Sequence, residues 1–374
     1  MRAPRYNARH CPISSLAMKL PRVVPSAEAL PDLDQYSAII DVRSQAEFAE
    51  DHIPGAINCP VLDNDERARV GTLYKQVSPF EAKKVGAALV AHNIARHIET
   101  QFLGHPKQWH PLIYCWRGGN RSGAMALVLS QIGWKADLVE GGYKAYRREV
   151  IEAMAPLSGR LRFIVLCGPT GSGKTRLLGA LADAGAQVLD LEELAAHRGS
   201  VLGAHPHASQ PSQKMFESRL WDALRRFDPA RPVFVEAESK RVGRVHVPDP
   251  LMEAIRAGQC LRVETPMQVR VTLLLEEYQH FLADTTQLAE QLAYLAPLHG
   301  NKTIAQWLSL VEAGQAGQFV EAMLRSHYDP TYTRSMTRNF PAYGDALSVS
   351  ITDAGQETFA AAAQGLHGGR QDIG

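Results

Sequence analysis

The chain has 374 residues, of which 45% are hydrophobic and 21% charged, a globular composition that excludes wholesale disorder and favours two domains. No apolar run approaches the ~18 residues of a membrane helix, so we expect no membrane partner. The formal net charge of +1 conceals an uneven distribution: residues 1–100 are neutral, residues 101–244 carry +7 and residues 245–374 carry −6. A positive middle suits phosphate-bearing partners, although modest imbalances are also common without any such partner.

The cysteines indicate single-thiol chemistry in a reducing compartment. They are odd in number, widely spread and never arranged as C-x-x-C, which fits the cytoplasm and excludes a disulfide framework or a zinc cluster. They are Cys11, Cys59, Cys115, Cys167 and Cys260.

The first part of the chain predicts a parallel α/β domain. Residues 1–30 read as a disordered extension, with Met18 as an alternative start. Short apolar strands then alternate with helical stretches, a pattern typical of a parallel sheet. The predicted strands are 37–43, 53–60, 111–116 and 136–142, and the main predicted helices are 79–101 and 124–133. We therefore predict a domain over residues 31–152.

A second α/β domain follows the break at residues 152–160. Apolar strands are predicted at 161–167, 186–191 and 232–238. After Thr265 the chain reads as mainly helical, and its glycine-rich end, 362–374, reads as frayed. The second domain is predicted over residues 160–362.

Cys115 stands at the end of a strand, before the turn WRGGNRS and a helix. Such a turn can wrap backbone N–H groups around an anion, and the same groups would lower the pKa of the thiol. The residues predicted to orient the anion are Arg117, Gly118, Gly119 and Arg121. The alternative, an inert buried cysteine, is our interpretation of the other four.

Residues 168–175, GPTGSGKT, match the phosphate-loop pattern G-x-x-x-x-G-K-[ST] in full. The motif follows an apolar strand and opens a helix, which is the context that this motif requires. Its glycines let the backbone close around phosphate oxygens, and its lysine adds a positive charge. The predicted phosphate-binding residues are Gly168, Gly171, Ser172, Gly173, Lys174 and Thr175.

Glu236 and Glu238 follow a predicted strand of the second domain, at the place where phosphate-loop proteins often carry an acid linked to Mg²⁺. Together with the hydroxyl of Thr175 they are candidate Mg²⁺ ligands; the alternative is a strand-end surface carboxylate. The acidic run 190–193 favours a helix N-terminus over a second metal site.

Further basic and histidine residues leave alternatives open. Lys240, Arg241 and Arg244 either contact RNA or a diphosphate or form a solvated turn. His205 and His207 favour a loop, because no acidic or thiol partner stands at ligand spacing. The stretches around His299 and His327 either line a site or cap helices.

The first domain resembles a rhodanese domain through IIDVRSQAEFAEDHIPGAINCP, LIYCWRGGNRSG and LVEGGYKAY. The resemblance implies that Cys115 carries a persulfide or a related species, and that Asp41 and Arg43 are structural. The loop C-x5-R is one residue longer than is typical of simple sulfurtransferases and is similar to that of cysteine phosphatases. The longer loop indicates a larger anion than thiosulfate, such as a substituted phosphate.

Residues 37–340 as a whole resemble the bacterial tRNA 2-selenouridine synthases, which join a rhodanese domain to a phosphate-loop domain. The resemblance also rests on the segments YKQVSPFEAKKVG, PSQKMFES, VEAESKRVG and HYDPTY. It implies that wobble 2-thiouridine in tRNA becomes 2-selenouridine with selenophosphate, through S-geranyl-2-thiouridine made from geranyl diphosphate. Cys115 would then carry selenium as S-selanylcysteine, and a candidate partner is the synthase that supplies selenophosphate.

Three other functions remain open at this point. The first is a phosphate-loop kinase or NTPase with an appended sulfurtransferase domain. The second is a non-catalytic RNA-binding adapter whose two loops only hold backbone phosphates. The third is a cysteine phosphatase, although the flank YCWRGG offers no obvious general acid.

Overall fold

The structure is a computed structural model that describes residues 20–197, 209–277 and 285–368. The chain divides into two compact units, Met1–Glu149 and Val150–Gly374. Within the described ranges, no helix combines the length and the apolar character that crossing a membrane requires.

The first unit is built on one parallel sheet, which among the described residues has five strands in the order β1-β5-β4-β2-β3. The prediction of a parallel-sheet α/β fold is therefore confirmed. The strands are β1 (Arg22–Val24), β2 (Ala38–Asp41), β3 (Ala56–Asn58), β4 (Pro111–Tyr114) and β5 (Asp137–Val139). The helices are α1 (Ser26–Ala29), α2 (Gln45–Glu50), α3 (Asn64–Gln76), α4 (Pro79–His97) and α5 (Asn120–Ile132), and a π-helical turn, Ile98–Phe102, continues α4. A further helix, α6 (Gly142–Gly159), starts in this unit and ends in the second, so the break predicted at residues 152–160 is helical up to Gly159.

Burial of the central strands explains their continuous apolar sequence. All four residues of β4 are buried, and Ile113 packs with Ile40 of β2 and Leu138 of β5 in one core. A strand covered on both faces shows no polar alternation. The carboxyl ends of β2 and β4 therefore lie side by side at one edge of the sheet, where Cys115 follows β4.

The sheet begins earlier than the sequence predicted. Arg22–Val24 pairs with β5, and Leu30 is fully buried, so the described residues before residue 31 belong to the folded unit rather than to an extension. Such a short edge strand carries little apolar signal, since only one of its three residues is buried. Residues 1–19, with Cys11 and Met18, lie outside the described residues.

The second unit contains another parallel sheet, with the order β12-β11-β6-β8-β7 within the described ranges. Its strands are β6 (Phe163–Cys167), β7 (Gln187–Leu189), β8 (Val233–Glu236), β11 (Gln259–Glu264) and β12 (Leu347–Ser350), and a separate hairpin pairs β9 (Arg241–Val242) with β10 (Val245–His246). Its helices among the sheet strands are α7 (Lys174–Asp183), α8 (Leu191–Ala195), α9 (Gln213–Arg226), α10 (Asp249–Arg256) and α11 (Met267–Glu277).

The predicted helical C-terminal part is confirmed, and it has a small core of its own. Leu292, Trp307 and Phe319 are among the buried residues of that core. The helices are α12 (Thr285–Ala293), α13 (Ala296–His299), α14 (Asn301–Glu312), α15 (Ala316–Met323) and α16 (Asp329–Asn339), with a π-helical turn, Leu324–Tyr328, between the last two.

After these helices the chain returns to the sheet, which the sequence did not predict. β12 adds a parallel strand beside β11, and α17 (Gln356–Gly368) packs on α7. Ala363 is fully buried in that contact, so the predicted fraying from residue 362 is wrong for the described residues up to 368. The glycine and alanine content of this segment is typical of a frayed end, which is why the sequence did not predict the helix.

Candidate functional site

Cys115 lies in the turn between β4 and α5, with only 3% of its surface exposed. Its sulfur accepts hydrogen bonds from the backbone N–H of Gly119 at 3.3 Å and from the hydroxyl of Ser122 at 3.1 Å. The turn therefore directs donors at the sulfur, as the sequence predicted for a thiolate cradle.

The surroundings of Cys115 lower the pKa of its thiol. Burial alone would raise that pKa, but the hydroxyl of Ser122 and the backbone N–H groups of Ser122, Arg117 and Gly119 stabilise the thiolate and outweigh it. The pKa values of the other described cysteines are raised by burial, that of Cys59 to about 12. Four cysteines lie in the described residues, and Cys115 is the one among them whose thiol has a lowered pKa.

Glycines hold the Cys115 turn against the turn that follows β5. Gly118 has φ +65°, and a Cβ there would lie 2.8 Å from the carbonyl oxygen of Val139; a Cβ on Gly142 would lie 2.3 Å from the carbonyl oxygen of Cys115. The N–H of Tyr143 also donates to that carbonyl oxygen at 2.8 Å. Residues 140–142, EGG, thus pack directly against the Cys115 turn, at a position where a side chain on Gly142 would clash with the backbone.

The two arginines of the turn have different environments. Nη1 of Arg121 lies 3.2 Å from a carboxylate oxygen of Glu47, which also pairs with Arg67 at 3.0 Å. Burial raises the pKa of Glu47, but these two guanidinium groups hold it below its ordinary value. Arg117 is exposed, and within the described residues no ion pair holds it. Of the two arginines, Arg117 is therefore the one whose guanidinium group is accessible from solvent.

Asp41 and Arg43 form a buried pair beneath this turn. The guanidinium group of Arg43 contacts the carboxylate of Asp41 at 2.6 Å and donates to the carbonyl oxygen of Asp51 at 2.6 Å. Its flat face lies 3.9 Å from the ring centre of Tyr143. Both charged side chains are essentially inaccessible, so they tie β2 to the neighbouring loops and cannot reach a ligand.

The phosphate loop connects β6 to α7, as the sequence predicted. Gly171 and Gly173 have φ values of +76° and +82°, which favour glycine. A Cβ on Gly173 would also lie 2.7 Å from the ring of Phe359 in α17. Lys174 begins α7, and its ammonium group donates to the carbonyl oxygen of Gly168 at 2.8 Å.

A cavity of about 530 Å³ adjoins this loop and is lined by both predicted carboxylates, Glu236 and Glu238, and by Glu192. Burial raises the pKa of Glu236 to about 7, against the opposing effect of Lys174; burial and the neighbouring carboxylates raise that of Glu192 to about 9. The acidic run 190–193 was assigned to a helix N-terminus, so Glu192 was not predicted as a site residue. The assignment is correct for Asp190, which caps α8 by accepting from the N–H of Glu193 at 2.8 Å. Glu192, in the same helix, lines the cavity as well.

The carboxylate of Glu236 fits a Mg²⁺ site in this cavity. It accepts a hydrogen bond from the hydroxyl of Thr175, and its Oε1 atom is buried without a protein partner in the described residues. A buried oxygen of this kind suits a hydrated cation, since Mg²⁺ keeps several waters and takes only one or two protein ligands. Among the described residues, no cluster of three or more His, Cys, Asp or Glu residues forms a metal cage.

Arg270 clamps the phosphate loop, a role that no pattern in the sequence indicated. Its Nε and Nη2 atoms donate to the carbonyl oxygen of Thr170 at 3.0 and 2.8 Å, and its other contacts reach the two carboxylate oxygens of Asp329 at 3.0 and 2.6 Å. Asp329 belongs to HYDPTY, so the helical part holds the loop through this motif. The two residues are 59 positions apart, and only the tertiary fold pairs them.

The three predicted basic residues of the second unit lie outside the cavity. Lys240 pairs with Asp249, Arg241 donates to the carbonyl oxygen of Gly243 at 2.8 Å, and Arg244 is exposed near the β9–β10 turn. None of the three basic residues lines the cavity, which disfavours a diphosphate contact. An RNA contact and a solvated turn both remain as predictions for these exposed residues.

The predicted histidines divide into two groups. His205 and His207 lie outside the described residues. His299 and His327 are hydrogen bonded to each other, with 2.9 Å between Nε2 of His299 and Nδ1 of His327. His327 also lines the cavity, so for this residue the structure favours a site over a helix cap.

Comparison with known proteins agrees with this arrangement. A family model described as a tRNA 2-selenouridine synthase AAA domain matches residues 161–341, and a rhodanese-like domain model matches residues 26–149. A tRNA 2-selenouridine synthase of Marinobacter nauticus is 31% identical over 348 residues, which cover 82% of this chain and 92% of that protein. The chain belongs to the tRNA 2-selenouridine synthase family.

Other members of the family match over a shorter stretch. The tRNA 2-selenouridine synthase of Nitrosomonas europaea is 38% identical over 245 residues, which cover 64% of this chain and 63% of that protein. The aligned region thus spans less than two thirds of that relative. Among solved structures, the N-terminal domain of a putative ATP/GTP binding protein from Clostridium difficile is 36% identical, covers 34% of this chain and 98% of its own, and has a TM-score of 0.31.

Proposed function

We propose that the protein converts 2-thiouridine at the wobble position of tRNA into 2-selenouridine. Selenophosphate is the selenium donor, and the route passes through S-geranyl-2-thiouridine made from geranyl diphosphate. The observation that carries the proposal is the presence, in one chain of this family, of a thiol surrounded by N–H and O–H donors and of a complete phosphate loop. Each feature suits one of the two donors.

Cys115 is the proposed selenium carrier, as S-selanylcysteine. In this step the thiolate attacks the selenium of selenophosphate, the S–Se bond forms, and the Se–P bond breaks with its electron pair on phosphorus, which leaves as phosphite. The lowered pKa of Cys115 supplies the thiolate that such a carrier needs, and the donors that stabilise the thiolate also suit a selenium-bound anion in the same place. Arg117 and Arg121, with the amides of Gly118 and Gly119, would orient the phosphate end of selenophosphate. Arg117 is the exposed member of that set, and Arg121 is fixed by Glu47.

The phosphate loop is the proposed seat of geranyl diphosphate. The backbone N–H groups from Gly168 to Thr175 would surround its phosphates, and Lys174 would balance their charge. Mg²⁺, if bound through Thr175 and Glu236, would neutralise the diphosphate as it departs. Transfer of the geranyl group to the anionic sulfur of the pyrimidine gives a thioether. Its sulfur can leave as a neutral thiol, and selenium can then take its place on the ring.

The tRNA is the proposed macromolecular partner, and the cytoplasm is the proposed location because this thiol must remain reduced. Residues 101–244, which contain both loops, carry a net charge of +7. Exposed arginines such as Arg244 would contact backbone phosphates. The enzyme that makes selenophosphate is a candidate second partner.

The test is to incubate the purified chain with 2-thiouridine tRNA, geranyl diphosphate, selenophosphate, Mg²⁺ and a thiol reductant, and to weigh the nucleosides after digestion. We expect masses for geranylated and selenated uridine. Absence of both would contradict the proposal. Rapid ATP hydrolysis without tRNA would instead favour the kinase or NTPase, a function suggested by the same phosphate loop.

A further inference from the structure

The helical part of the second unit brings His327 to the cavity of the phosphate loop, and His327 is hydrogen bonded to a second histidine, His299. His327 lines this cavity together with Lys174 and Glu236. Its Nδ1 atom is 2.9 Å from Nε2 of His299, and both side chains are partly buried. One proton occupies a hydrogen bond between two neutral imidazoles, so the tautomer of one ring sets the tautomer of the other.

The backbone around His327 departs from a regular α-helix. Leu324–Tyr328 forms a π-helical turn between α15 and α16. Such turns commonly occur at functional sites, because the extra residue changes the direction of the side chains. Directly after it, Asp329 binds Arg270, which in turn holds the carbonyl oxygen of Thr170 in the phosphate loop. The histidine is therefore anchored to the loop that it faces.

The second nitrogen of His327, Nε2, makes no hydrogen bond within residues 20–197, 209–277 and 285–368. Burial and the neighbouring His299 lower the pKa of His327, which favours the neutral ring. When His299 donates through its Nε2–H, the neutral ring of His327 carries its own proton on Nε2. That tautomer offers an N–H donor to an anion, whereas the opposite tautomer would offer a lone pair and repel it.

We propose that His327 is a diphosphate-binding residue of this cavity, and that His299 positions it by fixing the tautomer that donates Nε2–H to a phosphate oxygen. The inference rests on the proposed function, in which the phosphate loop holds a diphosphate. The proton stays on nitrogen throughout; the residue contributes a directed hydrogen bond to the charge on the diphosphate.

The test measures the binding of inorganic diphosphate by calorimetry, with and without Mg²⁺, and needs no tRNA. We expect His327→Asn, which keeps an amide near the Nδ1 position, to bind about tenfold more weakly, as loss of one hydrogen bond to a charged group predicts. His327→Gln, which places its amide N–H near the Nε2 position, should stay within about threefold of the parent. His92→Gln, on the exposed surface of the first unit, is the matched control and should bind like the parent.

A spectroscopic readout separates positioning from simple folding. Side-chain ¹⁵N resonances of His327 should show the Nε2–H tautomer, and that signal should shift when diphosphate binds. In His299→Phe we expect a mixture of tautomers and weaker binding. Equal affinity of the parent, His327→Asn and His327→Gln would overturn the inference and leave the proposed function standing, whereas a parent protein that binds no diphosphate would overturn both.

Discussion

At the scale of single residues, the chemistry of this chain depends on what surrounds a side chain. Cys115 and Cys59 are both buried and belong to the same core, yet only the thiol of Cys115 has a lowered pKa. The difference is the hydroxyl of Ser122 and the amides of the turn, which face one sulfur and not the other. The sequence predicted the amides from the glycine-rich turn, but it offered no way to see which way the hydroxyl points.

We predict that Ser122→Ala raises the pKa of the Cys115 thiol by about one unit, since one hydrogen bond to the thiolate is lost. The measurement is the rate of carboxymethylation against pH, followed by peptide mass spectrometry. Cys59 provides the internal control and should stay unmodified up to pH 9. An unchanged pH profile at Cys115 would show that the hydroxyl does not stabilise the thiolate.

We also predict that Glu192→Gln stabilises the protein at pH 8. The pKa of Glu192 is raised from 4.5 to about 9 in the folded protein, because folding disfavours its charged form. In the unfolded chain the carboxyl loses its proton above its ordinary pKa. Between these two pKa values Glu192 therefore lowers the stability of the folded protein more and more as the pH rises. Removing it should raise the free energy of unfolding by about 1 kcal/mol at pH 8, and by much less at pH 5.

The measurement for Glu192→Gln is urea unfolding at the two pH values. Glu253→Gln, at an exposed position of α10, is the control and should change neither value. A gain at pH 5 equal to that at pH 8 would contradict the assignment of a raised pKa.

At the scale of elements, local sequence signals predicted the two functional loops, but not the elements that support them. A strand followed by a glycine-rich turn and a helix is readable over about ten residues, and both loops have that form. The clamp between α11 and α16 is not readable in this way, because Arg270 and Asp329 carry no motif that relates them. The edge strands β1 and β12 were missed for a different reason. β12 has the sequence LSVS with three of its four residues exposed, so it lacks the continuous apolar run that marks a buried strand.

We predict that Asp329→Asn loosens the phosphate loop. Removing one charge of a largely buried pair leaves Arg270 partly uncompensated and should cost about 2 kcal/mol of stability. Diphosphate binding should weaken as well, because the carbonyl of Thr170 loses its fixed donor. Urea unfolding and calorimetry measure the two effects.

The pair can be isolated by a double-mutant cycle with Arg270→Lys. We expect the double variant to be less destabilised than the sum of the single variants. Full additivity would show that the two side chains act independently and that no clamp exists.

At the scale of the whole molecule, the chain joins two parallel-sheet units, each with its candidate loop at the carboxyl edge of a central strand. The fold class and the position of both loops follow from the sequence, since buried parallel strands and phosphate loops have strong local patterns. The cavity wall does not, because Glu192, His327 and Thr331 reach it from three different elements. The overall charge was the weakest guide, as a total of +1 hides the positive stretch that contains both loops.

The central claim is that the phosphate loop serves geranylation and that Cys115 serves selenation. The most direct measurement is nucleoside mass analysis of 2-thiouridine tRNA treated with both donors by the parent protein, Cys115→Ser and Lys174→Ala. We predict that Cys115→Ser accumulates geranylated uridine without selenated uridine, and that Lys174→Ala forms little geranylated uridine. Full selenation by Cys115→Ser, or geranylation by Lys174→Ala at the parent rate, would contradict the account.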